Sequence, residues 1–134
     1  MKDIRLGNGI AAVLLVVSGS VAFADSELGA NTYNQYCATC HGASGMGDGP
    51  LTEHMLINVP DLTQLAADNQ GDFPLLRVMH IIDGRTGLRG HGGPMPVYGA
   101  LFDEDADERA YGSVFYTHAK ILSLTRYLES IQAE

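Results

Sequence analysis

The sequence predicts an all-α domain, a few helices closed around a centre that their own side chains do not fill. Three observations point there. Val114, Ile121, Leu124, Leu128 and Ile131 recur at three-, four- and seven-residue steps, the period of a single helix face. No alternating strand–helix pattern appears elsewhere in the chain. The 134 residues include 16 glycines, no tryptophan and four phenylalanines. A domain of this size buries a modest share of its surface and calls for a staple or a large bound group at its centre.

Each element follows from local chemistry. Met1 to Ala24 places Lys2 and Arg5 ahead of an apolar run from Ile10 to Val17, with small residues at Ala22 and Ala24. That is the pattern of a secretory signal peptide cut before Asp25, and the run is short for a membrane span. The competing reading is an uncleaved N-terminal anchor. Residues 25–134 then form the domain. A first helix is expected from Ser26, a good N-cap, to the cysteines. Residues 41–60 are Gly-rich and irregular. A short helix is expected over Asp61 to Ala67, and another over Phe73 to Ile82, opened by Asp72 and Pro74 and stopped by Gly84. Residues 84–100, "GRTGLRGHGGPMPVYGA", are too rich in Gly and Pro for a helix interior and predict a shaped loop or small hairpin. The C-terminal stripe defines the last helix, with Lys120, Arg126 and Glu129 on its other faces.

Charge narrows the partners. The formal net charge is −8. Removing residues 1–24 takes Lys2, Asp3 and Arg5 and leaves six basic and fifteen acidic side chains, a formal charge of −9. Nucleic acid and anionic lipid attract positive patches, so neither is an expected partner. The acidic run "FDEDADERAYGS" starts like a calcium loop at Asp103, Asp105 and Asp107. Its sixth position is Glu108 where Gly is needed, and its twelfth is Val114 where Glu is needed, so a solvated acidic connection before the last helix is expected. "GMGDG" is no phosphate loop, because no Lys-Ser/Thr follows it. His80 and His118 fall in helices and read as surface histidines.

The chemistry concentrates in "CATCH". Both cysteines of the chain, Cys37 and Cys40, stand there with His41 directly after. A structural zinc site needs a second ligand pair, and the remaining histidines are scattered. A redox dithiol sits at a helix start in a βαβ setting, whereas these cysteines end a predicted helix. An ordinary disulfide suits an exported protein but leaves His41 without a role. Cys-x-x-Cys-His is the attachment signature of c-type haem: two thiols on one helical turn form thioethers with the vinyl groups, and the histidine meets the iron. A sixth ligand is then sought in "HGGPMPVYG". Met95 carries a soft thioether in a shaped loop far enough downstream to return over the other face, with His91 its rival. Met79, beside Val78 and Ile81, reads as core filler. Met46 and Met55 follow His41 too closely.

On these residues the chain resembles the class I monohaem c-type cytochromes. Gly29 and Tyr33 precede Cys37, Cys40 and His41 at the family's spacing, and Leu124, Tyr127 and Leu128 match its C-terminal helix. The resemblance implies a small cytochrome c fold whose first and last helices cross closely, wrapped around one covalently bound haem c with its iron. It implies that Met95, followed by Pro96, is the distal ligand. It also implies that the carbonyl of Pro50, in the Gly49-Pro50 turn, accepts a hydrogen bond from His41. The tryptophan that contacts a haem propionate in this family is missing, and Arg85, His91 or Tyr98 stand as its replacements. The implied function is one-electron transfer in a bacterial periplasm between redox protein partners, without enzymatic turnover and without a membrane span in the mature chain. Two other readings stay open: a haem subunit of a larger periplasmic oxidoreductase complex, and a haem enzyme or gas-binding protein with a displaceable sixth ligand.

Overall fold

Five α-helices and three 3₁₀ turns make up the computed structural model, which describes residues 20–86, 93–106 and 112–133. The helices are α1 (Ser20–Tyr36), α2 (Ala38–His41), α3 (Leu75–Asp83), α4 (Tyr98–Asp105) and α5 (Gly112–Ser130), with no strand among the described residues. The expected leader lies mostly outside that set, as does His91. No helix among the described residues is long and apolar enough to cross a membrane.

The frame is the crossing of α1 over α5. Gly29 makes it possible: a Cβ there would sit 2.9 Å from the Cβ of Tyr127 and would collide with the Ser123 carbonyl. Tyr33, fully buried, meets the Tyr127 ring at a centroid distance of 5.2 Å, tilted by 46°. Tilted and edge-on rings at such distances add to the burial of their area. Ile121, Leu124 and Leu128 form the buried stripe of α5. Val114 does not join it and is 51 % exposed, because the buried face turns instead through Thr117, Lys120, Ser123 and Thr125. The small Ser123 lies where Gly29 of α1 comes close, and Thr125 returns its hydroxyl to the Ile121 carbonyl at 2.8 Å.

Lys120 corrects the sequence reading as well. It is buried rather than outward, its aliphatic stem covered and its ammonium 4.2 Å from the Phe102 ring centroid and 5.0 Å from that of Tyr36. An ammonium over aromatic faces is held by their quadrupoles, which offsets part of its lost hydration.

The middle of the chain differs from expectation in its helix types. Asp61 caps a 3₁₀ turn, Leu62–Gln64, by accepting from the Thr63 amide at 2.8 Å, and a second turn follows at Ala67–Asn69. The one helix expected over Asp61 to Ala67 is thus two tight turns. α3 ends where Gly84 adopts a left-handed φ of 67° and donates its amide to the His80 carbonyl. Its buried residues are Val78 and Ile82, with Met79 packed beside them as filler. The acidic stretch expected as a connection is helical in its first described part. Tyr98 and Phe102, four residues apart on one face of α4, are both buried and pull that segment into the core. Residues 107–111 lie outside the described set.

Candidate haem site

α1 stops at Tyr36, and the motif continues it as one further turn. The amides of Cys40 and His41 both donate to the Cys37 carbonyl, at 3.1 and 2.9 Å, and the Gly42 amide donates to Ala38 at 2.9 Å. Cys37 and Cys40 therefore stand three residues apart on one side of a turn. They are not bonded to each other. Cys37 is buried, and its thiol is pushed up to about 12 by that burial first and by the neighbouring Cys40 second. A thiol so held is the opposite of an activated redox thiolate. No cluster of three or more His, Cys, Asp or Glu side chains stands ready for a metal ion among the described residues, so a zinc centre has no ligand set there.

The Gly-rich stretch after the motif folds back onto it. The Gly47 amide donates to the His41 carbonyl at 2.8 Å and the Gly49 amide to the Cys40 carbonyl at 3.1 Å. A Cβ on Gly49 would lie 2.6 Å from the Cys40 carbonyl oxygen, so only glycine permits this return. Tyr33 locks the inner side, its Oη donating to the Gly42 carbonyl at 2.6 Å.

His41 finds its partner ten residues later than expected. With its proton on Nδ1, the ring donates to the Pro60 carbonyl at 3.4 Å, which leaves Nε2 available as a ligand. Burial lowers the imidazole's affinity for a second proton, and the Pro60 contact partly opposes that. Pro50 has another task. Exposed, it opens the 3₁₀ turn Pro50–His54, anchored by Thr52 donating its hydroxyl to the Gly49 carbonyl at 2.6 Å. Because Gly49 is tied to Cys40, the chain leaves the motif at Pro50 and comes back to the imidazole only at Val59 and Pro60.

These segments enclose an apolar cavity of about 300 Å³, within the range of small-molecule pockets. Cys37, Cys40 and His41 line it, as do Met95, Pro96 and Tyr98. Val78 and Ile82 of α3 and Leu124 and Leu128 of α5 supply much of the remaining wall. The predicted haem anchors and the predicted distal methionine thus meet at one place, although Met95 is far from the motif in sequence. Tyr98 is fixed there by donating its Oη to the Tyr36 carbonyl at 2.7 Å. Burial, first, and the nearby Cys37 push its phenol up to about 12, so it stays a neutral donor.

Arg85 is not part of this lining. Its guanidinium grips Asp83 with two hydrogen bonds of 2.7 and 2.8 Å and reaches Asp103 at 2.5 Å. That grip holds the Asp83 carboxyl below its usual range. A propionate partner at Arg85 would have to displace two carboxylates. Sequence reasoning also missed wall residues Met55, Ile57 and Val59, which come from the irregular segment between the two prolines. Only the presence of a second proline, Pro60, signalled that the segment returns.

The residues present fit a covalently attached haem: two unbonded thiols on one turn, a histidine held by its other nitrogen, a thioether on the same cavity, and apolar walls. Comparison with known sequences agrees. A family model described as cytochrome C oxidase, cbb3-type, subunit III matches residues 24–111. No curated protein and no solved structure gives a significant match. The chain belongs to this family of c-type cytochrome domains, whose cofactor is a covalently bound haem c with its iron.

Proposed function

We propose that the chain is an exported, periplasmic one-electron carrier in which Cys37 and Cys40 hold the haem and His41 and Met95 are the axial ligands. When bound, the group supplies a one-electron Fe(III)/Fe(II) couple. The observation that carries the reading is the meeting of His41 and Met95, from separate segments, on one apolar cavity that also receives both thiols. The protein's part is to bind, orient and exclude water. The Pro60 carbonyl orients the imidazole, Pro94 and Pro96 stiffen the chain around Met95, and the apolar walls disfavour the more highly charged oxidised form. A soft thioether favours the reduced form, so walls and ligand both raise the potential. Held by both His41 and Met95, the metal would be closed to substrate, and the chemistry left to the group would be transfer of an electron.

Optical spectra of the purified holoprotein and of Met95→Ala, ferric and ferrous, with and without carbon monoxide, test this. The expected result is a weak far-red sulfur-to-iron band that the variant loses, with little carbon monoxide uptake by the wild type. A wild-type protein that lacks the band and binds carbon monoxide readily would point to a displaceable ligand and a gas-binding or catalytic role.

A second reading, a haem subunit docked in a larger oxidoreductase, draws on the family description, which names an oxidase subunit. Affinity purification from membranes under mild detergent separates the two. A free carrier elutes alone, and a subunit brings a stoichiometric assembly with it.

A further inference from the structure

The segment bearing Met95 begins just after α3 and ends where α4 starts. Its two ends are joined by an ion-pair cluster of Asp83, Arg85 and Asp103. At the beginning, Asp83 closes α3 and Arg85 follows the Gly84 cap. At the far end, the Arg85 guanidinium crosses to Asp103 of α4 at 2.5 Å, while Thr117 of α5 donates its hydroxyl to the other oxygen of Asp103. The cluster also packs directly on the first turn of α4. A Cβ at Gly99, four residues after Met95, would lie 2.6 Å from both the Arg85 Nε and an Asp83 oxygen. The cap is seated the same way, with a Gly84 Cβ lying 3.4 Å from the Cα of Val97.

We infer that Arg85, bridging Asp83 and Asp103, is a positioning residue for the distal methionine: it staples the base of the loop and so sets how firmly Met95 is held over the cavity. Three features make this more than surface decoration. The guanidinium is bidentate to Asp83 and engages a second carboxylate, which fixes its plane. The side chains of Arg85, Asp83 and Asp103 are each only about a third exposed or less, at 33 %, 21 % and 34 %. Each carboxylate belongs to a different helix, and Asp103 is tied in turn to α5, so the cluster links the three elements on which the distal segment rests. Loosening it widens the range of positions open to Met95 without touching His41 or either thiol.

This inference rests on Met95 being the distal ligand, and the experiment separates the two. Ferric holoprotein is titrated with imidazole, a small probe that competes for the sixth position, in the wild type, Arg85→Met, Arg85→Lys, Asp103→Asn and Met95→Ala. The far-red band and the thermal midpoint are recorded for each. The staple predicts that Arg85→Met and Asp103→Asn bind imidazole roughly two- to fivefold more tightly than the wild type, the scale of a partly exposed ion pair. It also predicts a weakened far-red band and partial recovery in Arg85→Lys. Asp103→Asn, nearly isosteric, gives the same readout if Arg85→Met fails to fold. Variants that lose thermal stability but keep the wild-type imidazole affinity and band would reduce Arg85 to a structural role and overturn the inference alone. A Met95→Ala protein indistinguishable from the wild type would overturn the ligand assignment and the inference together.

Discussion

The two sides of the cavity are secured by different means. On the His41 side most of the holding is local, the return of Pro60 to the imidazole apart: the motif is a single turn continuing α1, the following glycines fold back onto its carbonyls, and a fully buried Tyr33 pins Gly42 from inside. On the Met95 side the holding groups come from three helices, and the staple Arg85–Asp103 is itself a third exposed. The first arrangement resists change because short-range backbone bonds repeat one another. The second is adjustable, because single side chains carry it. In the proposed carrier, covalent attachment would belong with the first side and the softer proposed ligand, Met95, with the second.

That contrast can be broken at several points. The largest effect is expected at Phe102→Ala. Phe102 is fully buried, packs edge-on to Tyr36 at 5.3 Å and carries Lys120 on its face. Truncation should cost about 3–5 kcal/mol, read as a lower denaturant midpoint, with the far-red band weakened because α4 carries the distal segment. An unchanged band with the same loss of stability would show that α4 does not govern Met95. Gly29→Ala tests the other side. Its methyl meets the Ser123 carbonyl and should cost about 1–3 kcal/mol, of which helix propensity returns only ~1 kcal/mol. Here the expected signature is lost stability with the far-red band intact.

Smaller changes sharpen the same contrast. Tyr98→Phe removes the hydrogen bond donated to the Tyr36 carbonyl, at a cost of about 1 kcal/mol by denaturation. Acid is the mildest probe. Asp83 has its pKa lowered in the folded state, chiefly by its hydrogen bonds to Arg85, with His118 a minor contributor and Asp103 sharing the guanidinium. A carboxylate depressed by folding contributes its stability fully above its unfolded pKa of about 4, and that share is lost as pH falls through the folded value. Thermal midpoints of the wild type and Arg85→Met should therefore differ by a constant amount from pH 7 to about 5 and converge below about 4. A gap that persists undiminished into stronger acid would rule out Asp83 as the titrating partner.

How much of this was legible in the sequence depended on the range of the interaction. Cys37, Cys40 and His41 could be placed because a single turn fixes their relation, and Gly29, Tyr33 and Tyr127 because two helices repeat a known crossing. Ligand softness and loop chemistry singled out Met95, and the structure places that residue on the same cavity as the motif. Pro50 was wrong because the choice between two prolines depends on how nine intervening loop residues travel, and no local period records that. Arg85 was misassigned for a related reason: a lone arginine in a Gly-rich loop looks free until folding brings Asp103 to it. Lys120 looked outward because a polar residue on a helix was read by its charge, when aromatic rings from α1 and α4 make a place for it inside.

The most direct test of the account is a redox titration of the holoprotein under argon and again under carbon monoxide. Carbon monoxide binds only the reduced form, so it raises the midpoint wherever the sixth position is open. A protein whose own side chains fill both axial positions gives a single one-electron transition with the same midpoint under both gases. A midpoint that moves up under carbon monoxide by about 59 mV or more, a tenfold preference for the liganded reduced form, would contradict the carrier and mark the iron as a site where small molecules bind.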